Sequence, residues 1–331
     1  MKRFHRFVIA FLIVVRDSIR TFNFQFTNQA NFWPRKVTFS HLEKISLPET
    51  SLYIINLSLF YDGKDINVVA RLTNSTYERI SRVTARWIPR DRKSLIYQGL
   101  CRFKLSLDGR IWDYSQLKAP SRVPCYEDPR FSQFDSRSRV YCSKVKKQGS
   151  RENPGWIVRM SVLDLETLED VEFCSPNNNS MEKNWIPLPS IENQYSFIYS
   201  SKPLSIARFN SNGNLIDMHF PNSPNLRLNY NGATNSVEIS RGIFLRLVRK
   251  RFTILGLGTG YFSFALVHDS EMVTIFESSA FFLQKFGIEI CNSICLIDDF
   301  LYFAFSLDEK DNFIGGVKLE SFLAQINYSI N

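Results

Sequence analysis

The sequence predicts an all-β protein, and three observations carry that reading. Short runs rich in β-branched and aromatic residues recur from end to end, turn signals separate them, and no long stretch sustains a helical period. The chain has 331 residues, of which 44% are hydrophobic and 22% charged, with 29 Phe, 13 Tyr and 5 Trp, so it can bury a large core and is not a disordered chain. That length suits one large all-β domain or two ordinary ones.

In chain order the candidate strands are "SLYIINLSLF" (51 to 60), "INVVARLT" (66 to 73), "SRVYCSKV" (138 to 145) and "GWIVRMSVLDL" (155 to 165). They continue with "YSFIYS" (195 to 200), "IFLRLV" (243 to 248), "YFSFALVH" (261 to 268) and "FLYFAFSL" (300 to 307). Turn residues fall between them, as in "DGK" from 62, "DGR" from 108, "SPNNNS" from 175, "SNGN" from 211 and "YNGATN" from 230. One unit recurs, a turn followed by an aromatic-rich strand that ends on polar residues, at Arg71 to Asn74, Lys144, Tyr199 to Ser201, His268 to Asp269 and Asp308 to Glu309. Fivefold recurrence points to radially repeated four-stranded sheets, although its irregular spacing is also compatible with a sandwich or a pair of barrels. In the radial arrangement the strand ends gather at one mouth.

The net charge of +9 comes from 41 basic and 32 acidic residues, clustered at Arg79 to Arg92, Arg137 to Arg151 and Arg246 to Arg251. Solvated loops and strand edges account for such runs. No zinc-finger spacing, basic zipper or RNA-recognition signature accompanies them, so a nucleic-acid partner is not expected. The six cysteines are scattered, with one C-x3-C pair and no histidine-rich partner segment, which predicts buried reduced thiols, no metal site and a cytoplasmic setting. At the N-terminus Lys2, Arg3 and Arg6 precede the apolar run "FVIAFLIVV" (7 to 15). That run is too short to span a bilayer, and Arg16 and Asp17 follow it where a cleavage site would need small residues. Residues 1–45 are therefore expected to form an extension, with 46–331 as the folded domain. Secretion, or membrane contact through residues 1–20, is the alternative.

Four stretches carry candidate chemistry. In "CYEDPRF" (125 to 131) proline biases Asp128 towards an extended backbone, Arg130 offers a fork for a carboxylate, and a carboxyl group in a dry pocket would have a raised pKa suited to protonating a leaving oxygen. A polar turn explains the same residues. "MEKNWIPLP" (181 to 189) sets Glu182, Lys183 and Asn184 beside Trp185, an acid, a cation and a flat ring suited to a sugar and an anionic group, or equally to a buried tryptophan beside a surface ion pair. His268 in "FALVHDS" is an anion contact or a hydrogen-bonded core residue. Asp308 in "AFSLDEKDN" is a sugar-binding carboxylate, a hydrolytic base or a hairpin turn.

The order of these pieces resembles the β-mannoside phosphorylases and hydrolases and the related mannosyltransferases, over roughly residues 60 to 320. The matching segments are Glu127 to Arg130, Glu182 to Pro187, Tyr199 to Pro203, Asn231 to Asn235, Val267 with His268, and Ser306 to Glu309. The resemblance implies a five-bladed β-propeller of four-stranded antiparallel sheets around a funnel, and an enzyme that cleaves or forms a glycosidic bond in a mannoside without a cofactor. It implies that Asp128 is the general acid, steadied by Arg130. Phosphate or a sugar phosphate would be held by Lys183 and His268, and the sugar by Trp185 and Tyr199. Arg71, Asn74, Glu127, Glu182, Asn184 and Asp308 are expected to complete the substrate-binding set. The chain departs from the family at "YNGATN", where relatives carry an arginine, two glycines, Thr and Pro, and at "VTIFESSAFFL" (273 to 283), which lacks their histidine and arginine. These departures leave room for a hydrolytic or transferase variant, or for a propeller that binds a glycan or a protein without turning it over.

Overall fold

A computed structural model of the chain describes residues 34–46, 52–79, 85–89, 96–106, 110–121, 124–131, 139–148, 155–188, 194–201, 203–221, 226, 230, 232–254, 258–308 and 310–329. Five antiparallel sheets form a ring, a five-bladed propeller. Blade I holds Tyr53–Tyr61, Ile66–Thr73, Gln98–Leu105 and Ile111–Ser121, and a separate hairpin, Ser75–Arg79 with Ala85–Pro89, leaves its second strand. Blade II runs Cys125–Phe131, Arg139–Gln148, Gly155–Asp164 and Asp170–Glu172. Blade III runs Ile186–Pro187, Gln194–Ser201, Leu204–Asn210 and Leu215–His219. In blade IV the short pieces Gly232–Ala233 and Val237–Ser240 line one edge of Ile243–Ile254, which pairs with Gly258–Asp269. Blade V runs Glu289–Ile297, Phe300–Leu307 and Asp311–Lys318.

The apolar runs fill both faces of a strand because every blade has a neighbour on each side. In Ile66–Thr73, Val68, Ala70 and Leu72 pack against Cys295, Tyr302 and Ile314 of blade V, while Val69 turns to Tyr126, Val140 and Cys142 of blade II. Each of the five hydrophobic clusters lies along one seam between neighbouring blades. The ring closes through the N-terminal part of the chain: His41–Ile45 adds the fourth strand of blade V by pairing with Asp311–Lys318, and Arg35–Lys36 pairs in parallel with Phe281–Phe282 at the edge of blade IV. A Cβ on Gly316 would fall 2.0 Å from the His41 ring, so the closing strand needs glycine there. The boundary expected at residue 45 thus cuts through the ring, and the apolar run at 7–15 lies outside the described residues.

Side chains staple the inner strands to one another. Asn235 Oδ1 accepts from Ile294 N (3.1 Å) between blades IV and V, and Ser293 Oγ accepts from Leu59 N (3.0 Å) between V and I. Ser58 Oγ accepts from Phe131 N (2.8 Å) between I and II, and Arg130 Nη1 donates to the Trp185 carbonyl (3.0 Å) between II and III. At the fifth seam Ile186, Leu188 and Ile198 of blade III pack on Val248, Phe264 and Leu266 of blade IV. Beside that packing the two blades part around a cavity of about 240 Å³.

All six cysteines are unpaired, five buried and Cys174 exposed. Among the described residues no helix is long and apolar enough to cross a membrane, and no group of His, Cys, Asp and Glu has the arrangement of a metal site.

Candidate functional site

Three inner strands share one irregularity. The fourth residues of Tyr53–Tyr61, Cys125–Phe131 and Glu289–Ile297 are Asn56, Asp128 and Asn292, and each falls within a β-bulge. Asn56 and Asp128 have φ of 55° and 50°, the left-handed region that Asn and Asp tolerate better than other side chains, and backbone strain of this kind concentrates at functional sites. Asn56 Nδ2 donates to Asp128 Oδ1 at 2.5 Å. The opposite amide orientation would set an oxygen against a carboxylate, so the nitrogen faces Asp128 and the buried Asn56 Oδ1 is left without a partner among the described residues.

Around this pair stand the cations. Arg71, from the second strand of blade I, donates to Glu127 Oε1 at 2.9 Å and lies 3.8 Å from Asp128 Oδ1. Burial pushes the Asp128 carboxyl up, but Arg71, Arg130, Arg249 and Lys183 pull it down by more, to below its ordinary range. The raised pKa expected from the sequence is thus reversed: Asp128 rests as a carboxylate, because the positive charge around it outweighs its burial. Arg130 is 1% exposed, its Nη2 has no partner among the described residues, and burial together with the charge of Arg249 pushes its pKa down to about 10. Arg249 reaches the Cys291 carbonyl and Asn292 Oδ1, both at 3.4 Å, with its guanidinium set against Gly232.

The cavity between blades III and IV is lined by Lys183, Asn184, Tyr199, Ser200, Tyr230 and Arg246, among others. Arg246 is 1% exposed and none of its three guanidinium nitrogens has a partner among the described residues; burial alone pushes its pKa down to about 10. Leaving a buried guanidinium uncompensated is costly, and an anion in this cavity would offset that cost. The segment 182–186 is the partition between the two halves of the site, with the cavity on one side and Arg130 bonded to its Trp185 carbonyl on the other.

The sequence-derived residues divide accordingly. Arg71, Glu127, Asp128 and Arg130 gather at the axis, and Lys183, Asn184 and Tyr199 at the cavity. Trp185 is 1% exposed and stacked on Phe209, so its ring has no face for a sugar. Glu182 is occupied internally: its oxygens accept from Ser175 Oγ (2.6 Å), Tyr199 Oη (3.1 Å) and Trp185 Nε1 (3.3 Å), which locks the loop that presents Lys183. Asn74 holds the Tyr97 backbone N (2.8 Å) at the root of the blade I hairpin. Lys144 pairs with Asp170 within blade II.

His268 needs the clearest correction. It sits on the third strand of blade IV opposite Phe244, at the end away from Gly232 and Arg249, with Nε2 3.0 Å from Ser236 Oγ and Nδ1 2.8 Å from the Asp269 carbonyl. Burial and then the charge of Arg246 push its pKa down to about 3, so it is neutral and satisfied rather than free to hold an anion. Asp308, with φ of 53°, lies in the hairpin turn at the rim of blade V, half exposed and 4.0 Å from Lys285. Its neighbour Glu309 lies outside the described residues.

Asn56, Arg246, Arg249 and Asn292 were missed from the sequence. The two arginines stand in "RLVRKR", which reads as a solvated charge run. The asparagines carried a signal in the parallel "YIIN", "CYED" and "EICN" openings of three inner strands.

The chain matches no protein-family profile, and no curated protein resembles it in sequence. Solved structures do share its fold. A β-1,2-mannobiose phosphorylase from Listeria innocua, in complex with β-1,2-mannobiose, superposes with a TM-score of 0.53 at 13% identity, covering 88% of this chain and 95% of that one. A GDP-Man-dependent mannosyltransferase from Leishmania mexicana gives 0.52 at 10% identity over 86% and 90% of the two chains. A mannose phosphorylase from the same organism, in complex with phosphate ion, gives 0.50 at 10% identity over 96% and 98%. At these identities the likeness is one of fold.

Proposed function

We propose that the chain is a carbohydrate-active enzyme that cleaves or forms a glycosidic bond, with mannosides as the substrate class, Asp128 as general acid and an anion held by Lys183 and Arg246 in the adjoining cavity. The observation that carries this reading is the Asp128 bulge, a strained carboxylate on the propeller axis, hydrogen-bonded by Asn56 and set one wall away from an uncompensated arginine. The names of the similar folds, phosphorylases and a mannosyltransferase acting on mannose compounds, support the same class.

In the free protein Asp128 is ionised at neutral pH. An anion entering the cavity offsets the charge of Lys183, and a sugar that displaces water from the axis removes the solvation of the carboxylate. Both changes raise its proton affinity, which is what a proton donor to a glycosidic oxygen requires. Arg71 pairs with Glu127 and keeps the acid from swinging away. Tyr199, whose hydroxyl is fixed by Glu182 and Asn177, lines the cavity with a polar edge and leaves the charge to Lys183 and Arg246.

The test is product formation from a panel of β-mannosides with and without inorganic phosphate, and from mannose 1-phosphate with sugar acceptors. Activity dependent on phosphate marks phosphorolysis, and activity indifferent to it marks hydrolysis or transfer. The low resting proton affinity of Asp128 favours a second reading, a propeller that binds glycan without turnover. Under that reading Asp128→Asn binds the same sugars and no arm of the panel yields product.

A further inference from the structure

The axis holds more positive charge than one anion in the cavity accounts for. Glu127 and Asp128 offset Arg71 and Arg130, and a phosphate-class dianion in the cavity would offset Lys183 and Arg246. Arg249 remains. Among the described residues its hydrogen bonds are two 3.4 Å contacts to neutral oxygens, the Cys291 carbonyl and Asn292 Oδ1, beside a 5.9 Å contact with the Tyr261 ring, and no carboxylate pairs with it, while its charge reaches both Asp128 and Arg130. Around the same axis are three deeply buried polar atoms without partners among the described residues: Asn56 Oδ1, Arg130 Nη2 and Asn292 Nδ2. Two are donors and one is an acceptor. A ligand that satisfies them beside Arg249 presents acceptor oxygens with negative charge on one side and a hydroxyl on the other.

Resting on the proposed glycosidic chemistry, we propose that the sugar bound at the axis is itself acidic, its carboxylate held by Arg249 with Asn292 Nδ2 and Arg130 Nη2 while Asn56 Oδ1 accepts one of its hydroxyls. The charge of the substrate is then divided between two places, the cavity anion on Arg246 and the sugar carboxylate on Arg249. Gly232 makes the second place possible, since a Cβ there would come within 3.0 Å of the Arg249 guanidinium. Asn292 fixes its direction by holding one edge of the fork.

Titration calorimetry of the full-length protein with D-mannuronate, D-mannose and inorganic sulfate tests this. The expected result is D-mannuronate binding at least 10-fold more tightly than D-mannose, a preference abolished in both Arg249→Met and Asn292→Asp. Asn292→Asp is nearly isosteric and supplies Arg249 with an internal counter-ion, so it separates loss of charge from loss of packing. Sulfate affinity stays within about twofold of wild type in Arg249→Met and falls in Arg246→Met. Equal binding of the two sugars overturns the acidic-sugar inference and leaves the proposed function standing. Loss of sulfate binding in Arg249→Met equal to that in Arg246→Met assigns both arginines to one anion and overturns it as well. Failure of every sugar to bind contradicts the glycosidic reading itself, and the inference falls with it.

Discussion

The seams on either side of blade I and the seam between blades III and IV solve the same packing problem in opposite ways. At the first, buried serines carry backbone donors across: Ser58 takes Phe131 N, and Ser293 takes Leu59 N while its hydroxyl also meets Asn235 Oδ1. Both serine hydroxyls there have a use, and the strained bulges of Asn56 and Asp128 sit on the strands so fixed. The seam between blades III and IV buries two basic groups, one of them without a partner among the described residues. Arg246 has no partner among the described residues, and His268 is kept neutral. The stapled seams hold the geometry of the strands that carry Asn56 and Asp128, whereas the charged seam carries the free-energy cost of an uncompensated buried guanidinium.

Replacing the charge at the open seam gives the largest effect and the one of unusual sign. Arg246→Met should lower sulfate affinity about 100-fold while raising stability by roughly 1–4 kcal/mol, because an uncompensated buried cation gives way to an apolar side chain of similar length. Calorimetry and urea unfolding read the two effects separately, and a less stable Arg246→Met would mean that the guanidinium has a partner in the folded protein.

His268 sharpens the contrast through pH. Its folded pKa of about 3 lies below the ordinary 6.5, so the unfolded chain binds the proton more readily and stability falls as pH drops from about 6.5 towards 3. Between pH 7 and pH 4.5 the histidine alone should cost roughly 2–3 kcal/mol. His268→Gln should flatten that part of the urea-derived stability profile, and an unchanged slope would show that the ring is not held neutral.

At the stapled seam the sign reverses. Ser293→Ala takes the acceptor from the Leu59 N–H and one of two donors from the Asn235 amide oxygen, and should destabilise by about 1–3 kcal/mol with no change in sulfate affinity. A loss of sulfate binding in that variant would couple the two seams and remove the distinction between them.

Much of the fold was legible because turn residues and β-rich runs report local structure directly, and because a strand packed between two blades must be apolar on both faces. The ring closure was not legible: "HLEKI" carries no signal of pairing with "DNFIGGVK" more than 260 residues away, and only the two glycines under Phe39 and His41 mark the contact. At the site, Asp128 and Arg130 could be read from their neighbours in sequence. Arg246 and Arg249 could not, since a basic run on a strand looks the same whether its side chains meet water or the interior, and these two lie on opposite faces of theirs. Trp185 and His268 failed for the converse reason, as aromatic and imidazole groups suit a core as well as a ligand.

The most direct test of Asp128 as proton donor compares two β-mannosides that differ in the need for that proton. An alkyl or sugar leaving group must be protonated as it departs, whereas an activated dinitrophenyl group leaves unaided. Asp128→Asn should lower kcat/KM by at least about 100-fold for the disaccharide and by less than about fivefold for the dinitrophenyl mannoside. Equal losses on both substrates would contradict the acid role and leave Asp128 as a residue that only holds the sugar in place.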